Sequence, residues 1–127
     1  MTAVDEMSLD ELVEVLQAGR LAFNEMIKNA HETSTEKGFW TEPEMMDKYV
    51  AKLALIHSEV TEVLEALRKG HGAEKVTEEF ADIFIRCFDL HAKLVEAGEA
   101  TDDLFDIILK KENINADRPP KHGNRWG

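Results

Sequence analysis

The sequence contains few of the residues that mark disulfide-rich or β-rich proteins. Its 127 residues include one cysteine and three prolines, and two of the prolines are adjacent, at Pro119 and Pro120. The single cysteine, Cys87, excludes a framework of internal disulfides. Alternating runs rich in Val, Ile and Thr, which would predict strands, are absent from the sequence. The length fits one domain, 1–127, with a core of useful size.

Two further absences bear on location and partners. No run of eighteen apolar residues occurs in the sequence, so no membrane span is expected. The first residues, Met-Thr-Ala-Val-Asp-Glu, lack the basic region and apolar run of a signal peptide, and a cytoplasmic location is expected. The formal net charge of −11 argues against nucleic acid or an anionic membrane as a partner.

The charge is distributed unevenly along the chain. Residues 110–127 hold five basic and two acidic residues, a net charge of +3, so the remainder of the chain carries −14. A basic tail on an acidic body is either a solvated terminus or a partner for an anion held by the acidic part. Composition alone slightly favours the solvated terminus.

Apolar residues recur at helical spacing in four stretches, which predicts an all-α protein, a bundle of four main helices. After a loose segment, 1–7, the capping-box residues Ser8 and Glu11 are expected to start the first helix. This helix is expected to end near residue 32. Gly19 lies inside it and is expected to cost roughly 1 kcal/mol relative to alanine, with a kink or break as one outcome.

The second helix follows a predicted connection over residues 31–41. A second capping-box pattern, Thr41 with Glu44, and Pro43 in the first turn mark its start. It is expected to run to about residue 69.

The third helix is expected over residues 73–97, where Gly98 stops it. Thr101, followed by two aspartates, predicts the start of a fourth, shorter helix. The remaining residues, 113–127, are polar, contain Pro-Pro and two glycines, and are expected to be irregular.

Two pairs of acids lie in the second and third predicted helices. Glu59 and Glu62 form the first pair, and after sixteen intervening residues Glu79 and Asp82 form the second. Residues three apart project from the same side of a helix, and a short connection favours antiparallel neighbours. Four carboxylates can therefore converge, which is costly without cations because like charges repel. With hard cations, an oxygen-only site suits Mg²⁺ or Mn²⁺.

A solvated helix surface and a redox metal pair are the two alternatives to such a site. Most Glu-x-x-Glu pairs on helices are solvated, although these two pairs lie on the most apolar helices of the chain. A ferritin-like di-iron site requires a glutamate three residues before a histidine, and none of the five histidines has one. Four carboxylates without His or Cys therefore indicate magnesium and phosphate chemistry rather than a redox metal pair.

At these residues the sequence resembles the MazG-like nucleoside triphosphate pyrophosphohydrolases, of the all-α NTP pyrophosphatase superfamily that includes the dimeric dUTPases. The family signature, Glu-x-x-Glu followed by Glu-x-x-Asp, is matched by the two acidic pairs. Further matches are Lys37-Gly38-Phe39, Ile85-Arg86 and, in order near the C terminus, Lys111, Asn115, Arg118, Pro119, His122 and Gly123. The match covers residues 20 to 125. Ser58 departs from it, since many relatives have a further Glu there, and residues 1–15 have no counterpart.

The resemblance implies an enzyme that hydrolyses a (d)NTP to the monophosphate and pyrophosphate, in house-cleaning of the nucleotide pool. Glu59, Glu62, Glu79 and Asp82 would hold Mg²⁺, with Mn²⁺ as a substitute. Glu62 is the predicted catalytic base, and a supporting role for Glu65 is equally open. Because relatives are dimers or dimer-based tetramers, a homodimer or such a homotetramer is expected.

Substrate contacts are predicted at two sets of residues. The predicted phosphate contacts are Lys111, Asn115, Arg118 and Arg86. Alternatively, Arg86 only pairs with Asp82 or Asp89, and the tail residues only cap a helix. The resemblance further implies that the base stacks on Trp40, with His31 nine residues earlier. The alternative is that Trp40 fastens its loop to the core.

Two other functional classes remain open at this point. One is a non-catalytic sensor that binds Mg²⁺ and nucleotide at the same residues, and the other is a structural helical bundle with an acidic face. The sequence leaves open the preferred base and sugar, whether the α- or β-phosphorus is attacked, and the number of metal ions.

Overall fold

The computed structural model describes residues 5–40 and 46–120. These residues form four helices, and no strand occurs among them: α1 (Leu9–Glu36), α2 (Met46–Arg68), α3 (Ala73–Glu96) and α4 (Leu104–Asp117). The predicted all-α class is confirmed. Within the described ranges, no helix has the length and apolar character needed to cross a membrane.

The start of α1 is the predicted capping box. The Ser8 backbone N–H donates to Glu11 Oε1 over 3.0 Å, and the Glu11 N–H donates to Ser8 Oγ over 3.2 Å. The backbone hydrogen bond from Ser8, followed by the one with its side chain, lowers the pKa of Glu11. Two of the otherwise unpaired N–H groups at the helix start are thereby satisfied.

The end of α1 lies later than predicted. A connection was expected over residues 31–41, but the helix continues to Glu36, so the prediction is wrong over its first half. His31 and Ser34 pack inward from this last part, and tertiary packing overrides the modest helix propensity of Thr and Ser. Gly38, at φ 83°, ends the helix, because its conformation lets the Phe39 N–H donate to the Ser34 carbonyl over 3.1 Å.

The second and third helices follow the predictions closely. α2 is described from Met46 and ends at Arg68, whereas its predicted capping box, Thr41 with Glu44, lies outside the described residues. α3 extends from Ala73 to Glu96, as the sequence predicts.

The fourth helix corrects the prediction for the tail. Residues 113–127 were expected to be irregular, but α4 continues to Asp117, so the prediction is wrong over residues 113–117. Ile114 extends the helical spacing of apolar residues beyond Ile107, and the polar residues around it remain exposed. The helix ends because Arg118 precedes Pro119 and takes an extended conformation, φ −76° and ψ 148°.

The described chain divides into two compact units. One is Glu25–Ala100, and the other joins the described parts of Met1–Asn24 and Thr101–Gly127. In the Glu25–Ala100 unit, α2 packs against α3. Trp40, Tyr49 and Leu90 form a buried cluster there, with Ile56 and Leu94 packed against it. The single domain expected from the length stays a prediction.

The other unit is held together by side chains of α1 and α4. The rings of Phe23 and Phe105 lie 5.5 Å apart between centroids. Arg20 Nη2 lies 2.8 Å from Asp106 Oδ1, and its guanidinium carbon lies 5.8 Å from the Phe105 ring centroid. Gly19 lies beside the same ring, inside an unbroken helix, so the break considered at this glycine does not occur.

Gly19→Ala is expected to stabilise the protein by about 0.5 to 1 kcal/mol, because alanine has the higher helix propensity. A Cβ at this position would lie 3.4 Å from Phe105 Cζ, an ordinary van der Waals contact. Urea unfolding followed by circular dichroism measures the change. Ala18→Gly, at the exposed neighbouring position, should cost a similar amount. A destabilising Gly19→Ala would show that Phe105 leaves no room for a methyl group.

Candidate metal centre

The turn between α2 and α3 brings the two acidic stretches together. Residues 69–72 connect the helices, and Gly70 adopts φ 66°, which allows the His71 N–H to donate to the Ala66 carbonyl over 2.9 Å. A connection this short folds α3 back along α2. Acids late in α2 therefore face acids early in α3.

Three carboxylates converge across this hairpin. One oxygen from each of Glu59, Glu79 and Asp82 lies within 4.8 Å of the other two. Their burial is graded: Glu79 is 7% exposed, Glu59 is half-buried and Asp82 is exposed. The cluster is thus fixed at one side and open to solvent at the other. Three carboxylate oxygens are the donor set that Mg²⁺ and Mn²⁺ prefer.

Two basic side chains of α3 contact this cluster. Arg86 Nε donates to Glu59 Oε1 over 2.8 Å, so its partner lies across the hairpin and is neither Asp82 nor Asp89. Lys75 Nζ lies 3.0 Å from Glu79 Oε1. Both contacts offset the repulsion among the carboxylates.

Lys75 was not predicted from the sequence, although its position four residues before Glu79 on one helix was a usable signal. The hydrogen bond with Glu79 raises the pKa of Lys75, and the charges of Glu79, Glu78 and Asp82 raise it further. The direction of this change reports the negative potential around the cluster.

Glu62 does not join the cluster of Glu59, Glu79 and Asp82. It is exposed on α2, and its carboxylate does not belong to the group of three found among the described residues. Glu65 forms ion pairs with Arg68 at 3.5 Å and Lys69 at 3.4 Å on its own helix. The roles expected for Glu62 and Glu65 stay predictions.

A second polar group surrounds Trp40. The Trp40 indole N–H donates to Asp89 Oδ1 over 2.9 Å, and His31 Nδ1 lies 2.8 Å from the same oxygen. His31 Nε2 lies 3.1 Å from Glu96 Oε2. Because Trp40 is 8% exposed and belongs to the buried cluster, its packing corresponds to the anchoring alternative. The predicted contact of Trp40 and His31 with a base is untested.

A cavity of about 380 Å³ opens beside this group. Its walls come from the end of α1, from Trp40 and from the end of α3, namely His31, Glu32, Thr35, Glu36, Trp40, Lys93 and Glu96. Sequence reasoning identified His31 and Trp40 but missed Asp89, the residue that joins them, as a member of this group.

The remaining predicted phosphate contacts belong to the other unit. Lys111 and Asn115 are exposed on α4, and Arg118 is its C-terminal cap, with its N–H donating to the Asn115 carbonyl over 3.3 Å. His122 and Gly123 of the C-terminal motif lie outside the described residues. The proposed contact of these residues with phosphate stays a prediction.

No family model, no curated protein and no solved structure matches the chain.

Asp89→Ala is expected to destabilise the protein by about 1 to 3 kcal/mol, because it leaves the buried Trp40 N–H without an acceptor. Asp89→Asn, which keeps an acceptor oxygen, should cost less. Urea unfolding followed by circular dichroism gives both values. Asp102→Ala, at an exposed position, is the control and should change stability by no more than about 0.5 kcal/mol. A cost for Asp89→Ala as small as this control would contradict an anchoring role.

Proposed function

We propose that the protein is a Mg²⁺-dependent nucleoside triphosphate pyrophosphohydrolase. It would convert a (d)NTP and water to the monophosphate and pyrophosphate, and so clear surplus nucleotides in the cytoplasm. The observation that carries the proposal is the convergence of Glu59, Glu79 and Asp82 within 4.8 Å across the α2–α3 hairpin. These three are members of the acidic signature by which the chain resembles the MazG-like enzymes.

The chemistry of the cluster supports this choice of substrate. A nucleoside triphosphate carries about four negative charges, and carboxylates repel it unless cations bridge the two. Glu59, Glu79 and Asp82 would hold these cations through oxygen atoms. A bound Mg²⁺ supplies charge neutralisation for phosphate oxygens and acidifies a coordinated water.

Glu62 is proposed as the general base. The sequence predicts it both as a metal ligand and as the base, and its exposed position outside the cluster of three favours the second role. It lies one helical turn after Glu59 on α2, from where a carboxylate can accept a proton from a water held near the cluster.

The other substrate roles follow the resemblance. Arg86, already at the cluster through Glu59, would contact a phosphate oxygen, for which a guanidinium is well suited. Lys111 and Arg118 are proposed to contact phosphate oxygens, and Asn115 is proposed to contact phosphate or sugar. The base would enter the cavity of about 380 Å³ whose walls include His31 and Trp40.

A homo-oligomer, a dimer or dimer-based tetramer, is proposed for the assembly. Five apolar residues of α2 are between 50% and 62% exposed: Val50, Leu53, Val60, Leu64 and Leu67. Together with His57, they recur along the helix at alternating steps of three and four residues. This is the spacing of a coiled-coil seam. On α3, Phe80 and Phe84 are also about half exposed. Large apolar patches of this kind mark interaction surfaces.

Glu59→Gln and Asp82→Asn are each expected to lower kcat/KM for pyrophosphate release by at least about 100-fold, because each removes a charged metal ligand. The assay is a panel of NTPs and dNTPs with Mg²⁺, and Mn²⁺ binding followed by electron paramagnetic resonance should weaken in parallel. Glu78→Gln makes the same charge change on α3 outside the cluster and should retain activity.

Three outcomes would contradict the proposal at separate points. Full activity in Asp82→Asn would remove the metal assignment, and an equal loss in Glu78→Gln would show a bulk charge effect. Wild-type protein that binds Mg²⁺ and nucleotide without turnover would favour the sensor.

Glu62→Gln tests the proposed general base. Its kcat should fall, while its affinity for Mn²⁺ should change by no more than about twofold.

Leu64→Glu is expected to reduce the assembly to smaller species, because it places a charge inside the apolar seam of α2. Light scattering coupled to size-exclusion chromatography measures the mass. Leu55→Glu is the matched control, since Leu55 is an exposed leucine of the same helix outside the seam. A wild-type mass of one chain, or equal effects of both variants, would contradict the proposed seam.

A further inference from the structure

Three lysine side chains gather around the ring of Trp40. The Nζ atoms of Lys52, Lys48 and Lys93 lie 4.9, 5.4 and 5.5 Å from the centroid of the indole. Lys52 Nζ also lies 5.3 Å from the ring centroid of Phe39. Lys48 and Lys52 are one turn apart on α2, whereas Lys93 comes from α3, so the packing of the two helices creates the cluster.

Two carboxylates of this region, Asp89 and Glu96, contact other groups, and Glu32 and Glu36 line the cavity beside Trp40. Asp89 accepts from Trp40 and contacts His31. Glu96 contacts His31 and lies 3.3 Å from Lys93 Nζ. Neither carboxylate forms an ion pair with Lys48 or Lys52, and no other described residue does so. Two ammonium groups therefore remain without an anionic partner in the described part of the chain.

The three ammonium groups concentrate positive charge at the ring of Trp40. Cation–π contacts with the indole offset part of the cost of placing ammonium groups here, and the lysine stems cover the ring. Ammonium groups around one ring still repel each other, and Lys48 and Lys52 are half-buried, which weakens screening by water. In a chain of net charge −11, this concentration of positive charge is suited to an anion.

We propose that Lys48 and Lys52, with Lys93 beside them, form a binding site for a phosphate oxyanion. The site adjoins the cavity proposed for the base, because Trp40 and Lys93 belong to both. It needs neither a metal ion nor turnover, so it can be tested apart from the pyrophosphohydrolase activity. Two sources share the required chemistry: free pyrophosphate, and the phosphate group of a nucleotide.

The test measures binding of inorganic pyrophosphate by isothermal titration calorimetry in the presence of EDTA. The Lys48→Gln, Lys52→Gln double variant should bind pyrophosphate at least about tenfold more weakly than wild type, because two ammonium donors are lost. The control is the Lys28→Gln, Lys69→Gln double variant, which removes the same charge at exposed positions and should stay within about twofold of wild type. Circular dichroism confirms that both double variants are folded.

The outcomes separate the proposal from its alternatives. No pyrophosphate binding by wild type, or equal losses in both double variants, would overturn it. A nucleoside monophosphate titrated in parallel identifies the source: equal dependence on Lys48 and Lys52 supports the nucleotide phosphate, and dependence for pyrophosphate alone supports the free anion. Since no Mg²⁺ and no turnover are involved, loss of the proposed enzymatic activity would leave this result standing.

Discussion

Mutual repulsion among Glu59, Glu79 and Asp82 is the constraint that shapes the α2–α3 hairpin. Carboxylates within 4.8 Å raise the free energy of the folded chain unless opposite charges offset them. Arg86 and Lys75 provide that offset, each through a contact with one carboxylate. The same negative potential would attract the hard divalent cation proposed for this cluster, so the cost of gathering the acids and the proposed metal binding have one physical origin.

Much of the helical architecture could be predicted because its signals are local. The Ser8–Glu11 capping box and the limits of α3 depend on residues within a turn of each other, and both were predicted. The end of α1 was missed because His31 is held by Asp89, which lies 58 residues away in the sequence. The helical residues 113–117 were missed because polar composition was taken as a sign of irregular structure, although Ile114 keeps the helical spacing.

The acidic residues of the candidate site could be identified from the sequence, but their geometry could be predicted only in part. Spacing alone placed four acids on facing helices, but it does not determine the side-chain register between those helices. Glu59 consequently joins Glu79 and Asp82, whereas Glu62 does not. For the same reason the partner of Arg86 was missed. The exact contacts depend on how the turn at residues 69–72 sets one helix against the other.

The shared oxygen of Asp89 has a consequence for sequence variation. One atom accepts the indole N–H of Trp40 and contacts Nδ1 of His31, whose other ring nitrogen contacts Glu96. Replacing Trp40 alone would remove one donor from the carboxylate. Replacing Asp89 alone would leave the Trp40 N–H without its acceptor and would remove one of the two contacts of His31. In related sequences, substitutions at Trp40, His31 and Asp89 should therefore occur together rather than at one position alone.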